Sequence, residues 1–356
     1  MIWRGMRNSR RSVSAVPLAS AIVALLLVVA YFIPLPYYIY SPGMAIPIQT
    51  MVDVQGGKPS RSGAFYMMTV TSLYASNIYV FLTGLLTPHR QIWPAGQIAG
   101  GLTEKQYLAV EKYMMQQAQQ DAVGAALRYL NLPVRVTTAG VEVLSVEPFS
   151  KAAGVLQPGD ILTGIDGVSL AHDPNALAKI LAGKKVGQSV TLQVLRRARK
   201  MAVTVALVNL NQGRGRPLAG IGVIPALAQR ISSPTSVRIH VGDVYGPSAG
   251  LMFSLEIVSQ LAPRLNLTRG YKIAGTGTMS LNGTVGQIGG AGDKVIAAAA
   301  AGARYFFVPA DVQSGDTNAL HAAQEAAKLH TTMKIVPVST LAQAVSYLRR
   351  LPMRHS

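Results

Sequence analysis

The rhythm of apolar positions changes several times along the chain. Val13 to Ile33 is unbroken, 21 consecutive uncharged and mostly apolar residues. As a helix rising about 1.5 Å per residue, such a run spans roughly 30 Å, the hydrocarbon thickness of a bilayer. A Pro- and Gly-rich stretch from 34 to about 60 then predicts an extended connector, and Phe65–Leu73 (FYMMTVTSL) predicts a strand. From Thr103 to Leu130, the residues Tyr107, Val110, Met114, Ala118, Val123, Leu127 and Leu130 recur at helical spacing. Thr103 stands where an N-cap belongs, and Met114 and Met115 read as packing residues. Between about 132 and 209 the pattern shortens to strands, at Val134–Val136, Val141–Val146, Val190–Leu195 and Ala202–Val208, with a helix over Pro174–Leu181. Beyond 215 come an apolar helix (LMFSLEIVSQLA), a hairpin at Asn282-Gly283 predicted as type I′, a helix over 292–301 stopped by Gly302, and a buried strand at Tyr305–Val308.

These segments predict an α+β multidomain chain. A basic tail (1–12) precedes a transmembrane helix (13–33) and a membrane-proximal α/β segment (34–131). A β module (132–209) and a larger α/β domain (215–349) follow. Apolar residues make up 49% of the chain and charged ones 13%, which excludes intrinsic disorder. A mean hydropathy of +0.29 agrees with a membrane segment. The absence of cysteine excludes a disulfide scaffold, a thiol nucleophile and Cys-ligated metal.

Arg4, Arg7, Arg10 and Arg11 precede the apolar run, and no Lys or Arg follows until Lys58. The positive-inside rule then predicts a single-pass cell-membrane protein with a cytoplasmic N-terminus and everything after Ile33 outside. Tyr31, Tyr37, Tyr38 and Tyr40 suit an interfacial belt. A cleaved signal peptide ending at Val28-Val29-Ala30 is the competing reading. The net charge of +18 would draw anionic partners, lipid or wall polymer among them. The basic runs, including Arg196–Lys200 at an expected solvated hairpin tip, carry no interleaved aromatics, which argues against specific nucleic-acid binding. A homo-oligomer stays open.

Two segments carry candidate chemistry. In Gly246-Pro247-Ser248-Ala249-Gly250, a serine stands at the start of an apolar helix, with proline suited to its first turn. Free N–H groups and the positive end of the dipole make such a place fit for an oxyanion hole, although a serine there can also be a simple cap. In Gly289-Gly290-Ala291-Gly292-Asp293-Lys294, a lysine falls in the first turn of a helix among Ala, Val and Ile. Dipole and apolar surroundings both disfavour its ammonium form, so it can serve as a general base; pairing with Asp293 at the surface is the plainer alternative. A Ser–His–Asp set would have to use His240 and Asp243. His89, His172, His321, His330 and His355 show no metal-ligand spacing, and Gly286–Lys294 is no Walker A loop, so no metal, cofactor or nucleotide is expected.

The stretch FSKAAGVLQPGDILTGIDGVSL, with its Pro-Gly-Asp and Asp166-Gly167 turns, resembles a PDZ domain of the bacterial protease type. That resemblance implies a peptide adding as a strand to a sheet edge, with the groove placed at Gly140, Val141, Glu142 and Val143. The two chemical segments together resemble the proteolytic domain of the Lon family. The resemblance implies Ser248 as nucleophile, Lys294 as base and Thr276 as the threonine that helps position the lysine, with Gly246, Pro247 and Ala249 shaping the loop. The whole arrangement is similar to membrane-anchored, PDZ-containing Lon-like serine proteases, which implies ATP-independent cleavage of extracytoplasmic peptides or proteins. A non-catalytic peptide-binding adaptor is the alternative. The short stretch His240–Tyr245 departs from the longer acidic one of cytoplasmic Lon enzymes.

Overall fold

The computed structural model describes residues 15–171, 175–212 and 215–354. The arginines of the N-terminal tail, Val13, His172, Pro174 and His355 lie outside them. The chain divides into two units, residues 1–41 with 71–101 and residues 42–70 with 102–356, so the expected segment 34–131 contributes to both.

The first unit begins with α1 (Ala15–Tyr31), 17 residues where 21 were expected. The helix stops before Pro34 and Pro36, whose missing N–H groups cannot continue it. Among the described residues, no helix is long and apolar enough to cross a membrane. Leu25, Leu26, Leu27 and Val28, four successive positions that point to all sides of a helix, are all exposed. The unit also holds the start of β1 (Tyr37–Pro47), the end of β3 (Ala64–Tyr74), α2 (Ile78–Leu86), β4 (Gln91–Pro94) and α3 (Ala95–Ala99). Tyr37–Tyr40 pair antiparallel with Gln91–Pro94.

The stretch from 34 to 60 is no mere connector. Besides β1 it forms β2 (Val52–Val54), and Ile48, Val52 and Val54 are buried in the larger unit's core. Long-range pairing of β2 with β13 (Val237–Ile239) stabilises a strand that local composition does not announce.

In the second unit, α4 (Glu104–Tyr129) starts as predicted. Thr103 and Gln106 form a reciprocal capping box that satisfies two otherwise orphaned donors. The following module is a sheet in the order β12-β5-β6-β8-β9, with β7 paired to β6. Its strands are β5 (Arg135–Val146), β6 (Ile161–Ile165), β7 (Val168–Ser169), β8 (Ser189–Arg196), β9 (Arg199–Ala206) and β12 (Val223–Ser232), with α5 (Ala176–Ala182) beside them. The short pair β10 (Val208–Asn209) and β11 (Ala219–Gly220) completes it. The sheet therefore takes one of its two edge strands, β12, from beyond residue 209, where the module was expected to end. Asp166 and Gly167 both have positive φ, the requirement of a two-residue I′ turn between β6 and β7. The β8–β9 tip is only partly the solvated one expected. Arg196 grips Asp160 through Nε and Nη2 at 2.7 Å and also donates to Val155 O.

The catalytic-side sheet is parallel, with the first half of β3, β14 (Lys272–Gly275), β17 (Tyr305–Pro309) and β18 (Lys334–Val338) side by side. Both faces are covered. Phe65, Ile273, Phe307 and Val336 pack with α6 (Gly250–Leu261) and α9 (Leu341–Arg350), while Ala274, Phe306 and Val308 pack with α7 (Ala291–Ala300) and α8 (Asn318–Lys328). This accounts for the continuous apolar run of β17. Helix α6 is buried from Gly250 to Gln260, as a helix apolar on all sides must be. The turn between β15 (Thr278–Met279) and β16 (Val285–Gly286) is not type I′. Only Gly283 has positive φ, and Ser280 N–H donates to Thr284 O around a three-residue loop. Asn282 instead spends its side chain on Thr284 N–H.

Candidate active site

Ser248 lies in the turn immediately before α6, whose N-cap is Ala249. Helix α6 thus starts at Gly250, and Pro247 lies outside the first turn where it was expected. The turn is pinned from several sides. Gly246, at φ +89°, donates its N–H to Glu111 O of α4 at 3.2 Å. Ala249 O accepts from Met252 and Phe253 N–H, both at 3.0 Å. A Cβ on Gly250 would stand 2.8 Å from Met279 N, so the small residue after Ala249 lets α6 meet β15.

Thr276 follows the last residue of β14, at the carboxyl end of a parallel strand, and its N–H is held by Phe307 O at 2.9 Å. Its hydroxyl donates to Ser248 O at 3.0 Å, and Gly277 N–H donates to the same carbonyl at 2.8 Å. The Ser248 backbone is thereby fixed to the end of β14.

Lys294 sits in the first turn of α7, whose N-cap Gly290 adopts φ +69°. The loop before it is tied to the start of α8, since Asn318 accepts from Ile288 N–H and donates to Ile288 O. Lys294 is buried, and its Nζ lies 2.6 Å from Ser248 Oγ and 3.1 Å from Thr276 Oγ1. Burial lowers its pKa to about 7, against a smaller upward pull from Asp293. Asp293 therefore acts on the lysine through its field, and the surface-pair alternative fails because both residues are buried.

The hydrogen-bond directions are mutually consistent. Thr276 commits its proton to Ser248 O, so its oxygen accepts from Lys294. A neutral amine that donates there keeps its lone pair for the Ser248 hydroxyl. Three residues 46 positions apart at their extremes are thus brought within hydrogen-bond reach. His240 instead donates its N–H to Met51 O, and among the described residues no bond joins His240 or Asp243 to Ser248.

The peptide groove is not where the sequence reading placed it. Val141 and Glu142 pair with Leu162 and Ile161 of β6 on one side, and with Leu227 and Ala226 of β12 on the other. Gly140 is pressed against Leu162 O, where a Cβ would not fit. Strand β5 is therefore interior and has no edge to offer. The sheet ends in β12 on this side and in β9 on the other, and beside the first half of β12 lies an apolar hollow of about 470 Å³. Leu177 and Leu181 of α5 face Ile221, Val223 and Leu227 across it. The second half of β12 is tied to α4, with Tyr113 Oη donating to Leu227 O at 2.7 Å and Gln120 Oε1 accepting from Ile231 N–H at 2.9 Å. The signal that would have found this edge is Pro225 inside the apolar run Val223–Ala228, since a proline within a strand marks an edge or a bulge.

Residues 124–207 match the model of the PDZ domain family, and residues 221–348 that of the Lon protease (S16) C-terminal proteolytic domain. A Lon protease of Metamycoplasma arthritidis is 34% identical over 118 residues, which are 32% of this chain and 13% of that protein. The chain therefore spans only a small part of that relative's length. The PDZ domain of an SdrC-like protein from Listeria monocytogenes is 28% identical over 26% of this chain and 93% of that one, with a TM-score of 0.24. Its counterpart from Listeria innocua is 32% identical over 24% of this chain and 92% of that one, at a TM-score of 0.22. The two family models and the Lon relative together support a PDZ-containing Lon-like protease.

Proposed function

We propose that this protein is a serine endopeptidase working without ATP through a Ser248–Lys294 dyad, anchored by α1 to the cell membrane with its catalytic domain outside. The observation that carries the proposal is a buried lysine amine 2.6 Å from a serine hydroxyl, with an acceptor–donor chain through Thr276 that presents its lone pair. Lys294, at a pKa of about 7, is substantially neutral at working pH and takes the Ser248 proton as Oγ attacks the peptide carbonyl. N–H groups of the turn entering α6 receive the oxyanion, helped by the positive end of the helix dipole. The lysine then returns its proton to the leaving amine, and water resolves the acyl-enzyme by the same route.

The edge of β12 gives this chemistry a docking place. An extended substrate segment adds alongside Val223–Leu227 and seats apolar side chains against Leu177 and Leu181. Anchoring is supported by the exposure of Ile22, Val23 and the run from Leu25 to Val29 on α1, a helix about 26 Å long at 1.5 Å per residue, which thinning or snorkelling can fit to a bilayer core of about 30 Å. The four arginines ahead of it support an outward-facing catalytic unit.

The test is hydrolysis of unfolded casein and of a short fluorogenic peptide by the purified full chain, without nucleotide. Turnover that vanishes in Ser248→Ala supports the proposal. Turnover unchanged in Ser248→Ala overturns the dyad, and intact binding without any turnover favours the adaptor reading.

A further inference from the structure

Around α2 the first unit presents a surface unlike the rest of the molecule. Across Ala15–Ser41 and Thr71–Gly101 the sequence holds a single charged side chain, Arg90. Yet large apolar side chains stand exposed there beyond α1 itself, with Phe32 at 73%, Leu85 at 60% and Leu86 at 82%. Leu73, Leu82 and Trp93 are exposed as well.

Helix α2 has a clear inner and outer face. Its buried Gly84 sits so close to Ile39 that a Cβ would come within 2.9 Å, and the Phe81 ring meets that of Tyr37 at 5.1 Å, tilted by 55°. Leu82, Leu85 and Leu86 occupy the opposite side at i, i+3 and i+4. The helix also meets α1, where Tyr79 Oη donates to Leu27 O at 2.6 Å and the Tyr31 and Tyr79 rings lie 6.4 Å apart.

Its polar groups are turned inward on the backbone. Asn77 Oδ1 accepts from Val80 N–H, Thr83 Oγ1 donates to Val80 O, and Thr87 Oγ1 and Arg90 Nη1 both donate to Thr83 O. The two threonine hydroxyls on this stretch thus need no water, which is the condition hydrocarbon imposes on a helix.

From this we infer that α2 lies in the bilayer interface beside α1, its Leu82–Leu85–Leu86 face immersed in lipid, so that the first unit is an interfacial module and not a lone anchoring helix. Fluid hydrocarbon fits the face better than a protein partner would. A protein interface carries a polar rim, whereas this face runs without a charge into α1, which is apolar on every side. Arg90, just past the leucines, and Trp93 suit the headgroup layer, where a cation meets anionic lipid and an indole ring is favoured. Helices of this kind sit about 5–10 Å below the headgroups.

The inference rests on the reading that α1 enters the membrane, and one experiment separates the two. The chain has no cysteine, so single nitroxide labels can be placed directly. Full-length Val23→Cys, Leu86→Cys and Val312→Cys are labelled and reconstituted in vesicles containing anionic phospholipid, and spin relaxation by oxygen and by a water-soluble nickel chelate is compared. Val312, 68% exposed in the second unit, reports water. The expected result is that oxygen outweighs nickel several-fold at both Val23 and Leu86 and that the order reverses at Val312. A lipid-exposed Val23 with a nickel-accessible Leu86 overturns the interfacial placement while leaving the anchor. Nickel access at Val23 overturns the anchor and the inference together. Dipolar broadening at Leu86 with exclusion of both reagents assigns the face to a second copy and also overturns the inference.

Discussion

The PDZ sheet and the catalytic site handle charge in opposite ways. In the sheet, burial pushes the Asp160 carboxyl up, but the Arg196 guanidinium and Gln157 N–H outweigh it and hold it below the usual carboxylate range. Lys184, 2.5 Å from Asp166, pulls that carboxyl down too, helped by Thr191 N–H. Every cation in these contacts meets a carboxylate. At the catalytic site Lys294 meets two hydroxyls, and the desolvation it suffers stays largely uncompensated. A matched charge locks a turn or a strand; a cation left opposite neutral hydroxyls in a dry pocket gives up its proton near neutral pH and becomes a base.

Removing the mismatch altogether should have the largest effect. Ser248→Ala and Lys294→Ala should each lower kcat/KM by about 10⁴-fold or more, and the double variant should be little worse because the pair acts as a unit. Lys294→Arg should be equally inactive, since a guanidinium stays protonated at any working pH. Steady-state kinetics with circular dichroism as the folding control would check this; near-normal turnover by Lys294→Arg would refute the base role.

Converting the mismatch into a match should cost less. Thr276→Asp places a carboxylate where Lys294 now donates to a hydroxyl, which should recharge the lysine and move the acidic limb of the pH–rate profile upward by a unit or more. Thr276→Ala removes two hydrogen bonds, the donation to Ser248 O and the acceptance from Lys294 Nζ, each worth about 1 kcal/mol, and should slow turnover about tenfold to thirtyfold.

The native enzyme's own pH dependence sharpens the same contrast. Below pH 7, kcat/KM should fall about tenfold per pH unit as Lys294 takes up its proton. Stability rises with pH for both kinds of group but in different windows, below the usual carboxylate range for Asp160 and Asp166 and far higher for Lys294. Between about 7 and the ordinary 10.5, the unfolded chain binds a proton that the folded chain does not. Folding is therefore favoured as pH rises through that window and is penalised toward its lower end. Lys294→Met should accordingly raise stability by a few kcal/mol at pH 7, with the gain fading toward pH 10, in parallel urea titrations.

The smallest effect is expected at the groove. Ala178 is exposed on α5 and lines the hollow, so Ala178→Arg should obstruct strand addition without disturbing the core. KM for an unfolded protein substrate should rise about threefold to tenfold while turnover of a short peptide stays unchanged, because docking adds affinity and leaves the chemistry alone. Equal losses on both substrates would make the hollow structural.

What the sequence by itself determined is what short-range rules govern. The capping box at Thr103, the Asp166-Gly167 turn and the stop at Gly302 each follow from one residue's φ or one orphaned donor. The Gly-Pro-Ser-Ala-Gly and Gly-Gly-x-x-x-Lys segments named Ser248 and Lys294, and the resemblance they carry brought in Thr276. The tertiary structure decided what depends on residues far apart in the chain. It made β12 an edge and β5 an interior strand, because strand partners are chosen across some 80 residues, beyond the reach of short-range rules. It drew β2 out of a Pro- and Gly-rich stretch by pairing it with β13, and turned Arg196 from an expected solvated tip into Asp160's partner. It also set the proton affinity of Lys294, because the cost of charging a buried amine is the summed response of everything packed around it, and that sum exists only once the chain has folded.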